Sequence, residues 1–198
     1  MISIINTCET YILKFLTLTT IIFVCLIQIS CSDNNQPQNQ LNETDNNHTA
    51  RIAFVSDKDS NWDIWIMNPD GSELKNITEN PSLDSHPSWS PDGKNIVFYS
   101  DRDGNKNIYT ISTDGTNIKQ LTSGSRSNHS PSWSPNGEKI AFVSNRSGEN
   151  CIWIMNADGS NQYNLTKHLK SSRWPTWSNK KEGILFTSEN VIYQINPE

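Results

Sequence analysis

Short apolar runs alternate with clusters of turn-forming residues along the chain after residue 50. The runs at 140–143 (Ile-Ala-Phe-Val) and 152–155 (Ile-Trp-Ile-Met) are apolar at successive positions. Because a strand with one wet face would alternate apolar and polar residues, these strands are predicted to bury both faces. The Gly, Pro, Asn and Asp residues between the runs supply the backbone conformations that tight turns need. The pattern therefore predicts an all-β fold in which sheets stack on one another.

The same pattern recurs every 44 residues. Trp89, Trp133 and Trp177 occupy one column of this repeat, and Asp-Gly pairs at 70–71 and 114–115 belong to another. A period of this length, built from short strands, is typical of β-propeller blades, and a single blade cannot bury both of its faces alone. The periodic aromatic residues are therefore predicted to form the structural core: Phe54, Trp65, Trp89, Phe98, Tyr109, Trp133, Phe142, Trp153, Trp177 and Phe186.

Each repeat is predicted to hold four strands, which in the best-preserved copy cover 87–90, 95–100, 107–112 and 118–122. A turn at 91–93 (Pro-Asp-Gly) joins the first two strands. Proline presets the φ angle that the turn needs early, and glycine takes the positive φ that ends it.

The repeat predicts three to four blades, with incomplete blades at both ends. The first copy begins at Arg51 with a second strand, and the last copy closes with a third strand over 191–196. The expected fold is an incomplete or open ring of blades, with a closed four-bladed ring as the alternative. An open arc leaves blade edges exposed, which predicts a tendency to self-associate.

The N-terminus carries a predicted export signal. An apolar run over 15–29 follows Lys14 and precedes Ser30 and Cys31. The run is shorter than the roughly 20 residues that cross a membrane, so it indicates a signal peptide over 1–30. The layout resembles a bacterial lipoprotein signal, and this resemblance implies lipidation of Cys31. Ordinary cleavage and an uncleaved anchor are the alternatives, and all three predict an exported chain.

Two further segments follow the signal. Residues 31–50 are rich in Asn and Gln, and they have too few apolar groups to offset the entropy of ordering, which predicts a flexible linker. Residues 51–198 form the predicted propeller repeat domain.

The repeat resembles a known family. The segment 89–93 (Trp-Ser-Pro-Asp-Gly), followed by Ile-Val-Phe-Tyr-Ser at 96–100 and Asn-Ile-Tyr at 107–109, is similar to the TolB-like propeller repeat, also called the WD-like or PD-type repeat. A second copy begins at 133–137. The resemblance implies a propeller that binds a protein or peptide partner in the bacterial cell envelope. The corresponding expectation for localisation is a periplasmic or outer-membrane lipoprotein, with exposure at the cell surface as an alternative.

Composition and motifs narrow the function. The net charge is −5 and no run of Lys or Arg occurs, which argues against a nucleic-acid partner. No nucleophile elbow, zinc-protease motif or phosphate-binding loop is present, so neither an enzyme nor a cofactor is predicted. Contact with the membrane is expected through the lipid anchor only. Cys151 would be the one cysteine left for the domain, and it is interpreted as a small apolar strand residue.

The candidate binding surface lies just before each predicted first strand, where side chains break the repeat. Because the first strand of a blade lines the propeller axis, these residues should meet at one mouth of the central channel. Trp174 beside Arg173 is an anchor type enriched at interfaces. The predicted surface consists of Asp84, Ser85, His86, Asn128, His129, Arg173 and Trp174.

A weak calcium candidate is the loop that contains Asp101, Asp103 and Asn105. Oxygen ligands at alternate positions suit calcium, but Gly104 comes too early for an EF-hand and no Glu follows at the twelfth place. We therefore interpret this segment as a hairpin loop and predict no metal site.

The sequence is consistent with three functions. The first is a non-catalytic protein-interaction module at the cell envelope. The second is a propeller that binds or processes carbohydrate, and the third is a truncated fragment of a larger propeller protein.

Overall fold

A computed structural model describes residues 28–29, 50–178 and 183–197. These residues form 15 strands in four antiparallel sheets, which we call blades 1 to 4. These residues include no helix with the length and hydropathy of a membrane span. Apart from Gln28 and Ile29, the predicted signal peptide lies outside the described residues, as do Cys31 and all of the linker before residue 50.

The blades follow one another along the chain, and strands pair in sequential order. Blade 1 contains β1 (Gln28–Ile29), β2 (Ile52–Ser56), β3 (Asp63–Met67) and β4 (Lys75–Asn76). Blade 2 contains β5 (Asp84–Trp89), β6 (Asn95–Ser100), β7 (Asn107–Ser112) and β8 (Lys119–Gln120). Blade 3 contains β9 (Asn128–Trp133), β10 (Lys139–Ser144), β11 (Cys151–Asn156) and β12 (Tyr163–Asn164). Blade 4 contains β13 (Arg173–Trp177), β14 (Ile184–Ser188) and β15 (Val191–Ile195).

The hydrophobic core lies between the blades. Three clusters of apolar side chains fill the spaces between blades 1 and 2, blades 2 and 3, and blades 3 and 4. Phe98 and Phe142, which were predicted as core residues from the 44-residue period, are both 0% exposed. Burial of such an aromatic side chain contributes about 2–3 kcal/mol by area transfer. Stacking of neighbouring sheets therefore holds the arc together, as the apolar runs predict.

The ring is open, because no strand of blade 1 contacts blade 4 among the described residues. The prediction of an all-β propeller with an incomplete ring is confirmed. The middle strands of blade 2 have the predicted bounds, whereas β5 begins at Asp84 rather than Pro87 and β8 covers two residues. Blade 1 has an inner strand that the 44-residue repeat did not predict. Gln28 and Ile29 form this strand by pairing with Ala53 and Ile52 of β2.

Candidate interaction site at the mouth of the arc

A backbone irregularity shapes the inner strand of blades 2, 3 and 4. The pairing of each of these strands shifts register at a β-bulge. His86, Ser130 and Trp174 occupy the same place in the three bulges, with φ angles of 56°, 51° and 57°. Each precedes a proline, which suits a bulge because proline cannot donate to the sheet ladder. A bulge re-aims side chains, and a positive φ in a residue other than glycine costs on the order of 1–3 kcal/mol.

Two of these bulge residues, His86 and Trp174, form a row of four rings across three blades together with Tyr99 and His129. The His86 ring lies between two aromatic neighbours, with its centroid 5.2 Å from Tyr99 and 5.5 Å from Trp174. The rings of His86 and Trp174 are nearly parallel, at 19°. Tyr99 in turn meets His129 edge-on at 6.3 Å. Since Trp174 is 52% exposed, the row ends in a flat apolar surface open to solvent.

Both histidines are held in the neutral form. Burial first, and then neighbouring charges led by Lys106, lower the pKa of His129 to about 4. Burial and then Lys106 also lower the pKa of His86. In each ring Nδ1 lies 3.0 Å from a serine hydroxyl, that of Ser85 for His86 and that of Ser130 for His129. At neutral pH the two imidazoles therefore act as polar aromatic groups without charge.

The positive charge of this cluster is not balanced by acidic side chains. The Lys106 ammonium lies 5.1 Å from the centre of the Tyr99 ring, and Arg173 is among the charges that lower the pKa of His129. Within the part of the chain that the structure describes, the one ion pair joins Arg102 to Asp84. Lys106 and Arg173 thus have no carboxylate partner there. We call His86, Tyr99, Lys106, His129, Arg173 and Trp174 the mouth cluster.

Four of the seven residues predicted for the binding surface belong to the mouth cluster: His86, His129, Arg173 and Trp174. Ser85 supports it through the hydrogen bond to His86.

Asp84 and Asn128 were also predicted to be part of the surface, but they are 0% and 1% exposed. Both Asp84 oxygens accept hydrogen bonds from Arg102 at 3.1 Å, and Asn128 accepts one from Arg146 at 2.8 Å. Burial raises the pKa of Asp84 despite the nearby guanidinium. These two residues fasten the neighbouring hairpin loops to the inner strands, and their side chains are buried.

Tyr99 and Lys106 were not among the predicted residues. The repeat carries a signal for both, since Tyr99 stands in the column of Val55, Val143 and Thr187. Lys106 likewise replaces Trp62 and Asn150 of the neighbouring copies. A tyrosine fits a strand as well as a valine does, so this departure from the repeat is easy to overlook.

The loop considered for calcium has other contacts. Asp101 accepts a hydrogen bond from the Leu83 amide at 2.9 Å, and Asp103 accepts one from the Tyr109 hydroxyl. Burial and Asp103 together raise the pKa of Tyr109. The side chain of Asn105 has no part in these contacts, and the described residues contain no group of three His, Cys, Asp or Glu placed to hold a metal ion.

Comparison with known protein families identifies the family to which the fold belongs. Residues 46–196 match the family model of the TolB beta propeller domain. The chain belongs to the TolB β-propeller family. The match confirms the resemblance noted in the repeat, and it extends over all four blades apart from the short strand β1.

Individual proteins of similar sequence or structure support the same family. A Tol-Pal system protein TolB from Geobacter sulfurreducens is 38% identical over 48 residues, which are 24% of this chain and 11% of that protein. The structure of a TolB-type protein from Agrobacterium tumefaciens is 29% identical with a TM-score of 0.64, covering 71% of this chain and 50% of that one. TolB from Acinetobacter baumannii is 22% identical with a TM-score of 0.62, covering 74% and 41%, a likeness that shows the fold alone. The chain thus spans half or less of the length of these relatives.

Proposed function

We propose that this TolB-family propeller is a non-catalytic protein-interaction module of the bacterial cell envelope. In this proposal the chain is exported and cleaved before Cys31, so the mature protein lacks strand β1. A lipid on Cys31 anchors it, and the linker over 31–50 separates the propeller from the membrane. The propeller binds a protein or peptide partner through the mouth cluster.

The mouth cluster is the observation that carries this proposal. Its exposed Trp174 ring, which stacks on His86, offers the rigid aromatic anchor that interface hot spots favour. The Lys106 and Arg173 charges favour a partner segment that brings carboxylates, since complementary charge steers association and selects the partner. The positive φ angles of His86 and Trp174 support the assignment of the mouth cluster as a binding site. Strained backbone in residues other than glycine is found frequently at functional sites.

Site-specific photo-crosslinking in bacterial cells that make the chain tests this proposal. A photoreactive phenylalanine analogue replaces Trp174, and a matched chain carries it at Ile118, which is 46% exposed and lies outside both the mouth cluster and the two ends of the arc. The expected result is one discrete envelope protein cross-linked at position 174 and not at 118. Equal cross-linking at both positions, or none at 174, contradicts the proposal.

Purified partner then gives a quantitative measurement. Trp174→Ala and Lys106→Ala are each expected to weaken binding by at least about tenfold, a loss typical of a residue near the centre of an interface. Metabolic labelling with palmitate tests the anchor separately, and Cys31→Ala is expected to abolish the label.

Carbohydrate binding is the second candidate, and the same exposed Trp174 ring favours it, because flat aromatic surfaces also stack on sugars. A glycan array separates the two functions. Binding of a defined glycan that Trp174→Ala removes would support carbohydrate recognition and would count against a protein partner at this site.

A further inference from the structure

Every blade has two apolar faces, and within the arc each face packs on a neighbouring blade. The forward face packs on the next blade, and in blade 1 it is formed by Ala53, Ile64 and Ile66. The rear face packs on the preceding blade, and in blade 2 it includes Ile96, Phe98 and Ile111. The contacts between blades 2 and 3 and between blades 3 and 4 repeat this arrangement at the corresponding positions.

The forward face of blade 4 is exposed. Three isoleucines at one position of the forward face, Ile64, Ile108 and Ile152, are all 0% exposed. The fourth member of this column is Ile192, which is 74% exposed. Leu185 is also part-exposed, whereas Ala141 at the same position of blade 3 is 0% exposed.

The rear face of blade 1 is exposed in the same way. Ile96, Phe98 and Ile111 of blade 2 are 0–2% exposed, and their equivalents in blade 1 are Ile52, Phe54 and Met67. All three of these are part-exposed. Trp65 of this face is covered already, with the Lys58 ammonium 5.0 Å from its ring centre. The two ends of the arc therefore carry the two complementary halves of the interface that occurs three times within it.

We propose that the forward face of blade 4 docks on the rear face of blade 1 of a second copy of this chain. The contact continues the stack of blades across two molecules, so its chemistry is that of the three interfaces already present in the fold. It is heterologous, since different surfaces of the two copies meet, and such contacts form rings or extended assemblies. The mouth cluster takes no part in it, so this inference stands apart from the proposed function.

Light scattering coupled to size-exclusion chromatography tests the contact on the full chain in a nonionic detergent, which masks the apolar N-terminal run or, after cleavage, the lipid on Cys31. The unmodified chain is expected to elute at a multiple of its monomer mass. Ile192→Asp is expected to weaken association by at least about tenfold, because it places an unpaired carboxylate in the contact. Ile118→Asp is the matched control, since Ile118 is an exposed isoleucine, at 46%, outside both end faces.

Mixing two variants tests the head-to-tail arrangement. Met67→Asp alters the rear face of blade 1, and on its own it should also be monomeric. A mixture of Met67→Asp and Ile192→Asp chains retains one intact pair of faces, so it should form a dimer that neither variant forms alone. Ile52→Lys replaces Met67→Asp if circular dichroism shows that the latter is unfolded.

Three outcomes overturn the proposal. A monomeric unmodified chain would show that the faces remain open, are covered by ring closure within one chain, or bind another protein. Loss of association in the Ile118→Asp control would place the contact elsewhere. Persistent association of the folded blade 1 variant would show that blade 4 contacts some other surface.

Discussion

The ammonium group of Lys119 donates a hydrogen bond to the backbone carbonyl of Asp158, 3.0 Å away. This bond joins the outer strand of blade 2 to the Asp-Gly hairpin of blade 3. Lys75 makes the equivalent bond to Asp114, so the link repeats with the 44-residue period. The Asp-Gly hairpins of blades 2 and 3 therefore belong to the contact with the preceding blade as well as to their own sheets.

Substitution of the hairpin glycine should reveal this second role. Gly159 has a φ of +92°, and a Cβ atom there would lie 3.0 Å from the Leu121 carbonyl oxygen. Gly71 has a similar φ of +83° but no atom within 4 Å of the same position. Gly159→Ala is expected to lower the free energy of unfolding by about 1 kcal/mol more than Gly71→Ala, since both variants bear the φ strain and only one meets a neighbour. Urea unfolding measures the difference, and equal losses would show that the hairpin does not press on the preceding blade.

Loss of a core aromatic should be far more costly than loss of the exposed one. Phe142 is 0% exposed between blades 2 and 3, whereas Trp174 is 52% exposed. Phe142→Ala is expected to destabilise the fold by about 3–5 kcal/mol, because it leaves a cavity in a packed interface. Trp174→Ala should leave the melting temperature nearly unchanged. If calorimetry gave similar losses for the two variants, the stacked core would be the wrong account of stability.

A buried polar pair is missing between blades 3 and 4. In the preceding blades Asn128 donates to the Asn107 side chain at 3.0 Å, and both are buried. Cys151 and Ser172 occupy the equivalent positions, and the buried Ser172 hydroxyl has no hydrogen-bond partner.

Restoring this pair should stabilise the protein. The double substitution Cys151→Asn with Ser172→Asn is expected to raise the free energy of unfolding by about 0.5–1.5 kcal/mol, the usual net value of an added hydrogen bond. Ser172→Asn alone serves as the control and should not stabilise, because its amide would lack the acceptor. A chemical-denaturation midpoint that shifts equally for the two proteins would contradict the equivalence of the sites.

The histidines of the mouth cluster predict a dependence of stability on pH. The folded-state pKa of His129 is about 4, below the ordinary value near 6.5, and the charged or titratable groups that face it are Lys106, His86 and Arg173. The unfolded chain therefore binds more protons between these two values. The free energy of unfolding should fall as the pH drops from about 6.5 towards 4.

A variant separates the contribution of His129 to the pH dependence of stability from that of the carboxylates, which also titrate in acid. His129→Gln should show a shallower loss of stability between pH 6.5 and 5 than the unmodified chain. Urea unfolding at a series of pH values measures both slopes, and parallel curves would show that His129 is protonated as easily in the folded state as in the unfolded chain.

The sequence predicts the middle strands better than the inner ones. Residues 95–100 and 107–112 are recognisable because they are apolar on both faces and bounded by turns. The start of β5 was not predicted, because the strand begins with polar residues and passes through a bulge before Pro87.

The same contrast holds at the mouth cluster. His86 and Trp174 were predicted because they break the repeat, and Tyr99 was not, because tyrosine also suits a strand. Asp84 breaks the repeat as well, yet Arg102 covers it completely. A departure from the repeat thus marks a position with its own environment, and the structure is needed to tell a buried partner from an exposed one.

At the bulges of the inner strands the backbone conformation is constant and the side chain varies. His86, Ser130 and Trp174 share one left-handed conformation, although their side chains are an imidazole, a hydroxyl and an indole. Blades 2, 3 and 4 therefore present different side chains at one place on a constant backbone. Substitution of a single residue there changes the surface of one blade and leaves the stacked sheets beneath as they are.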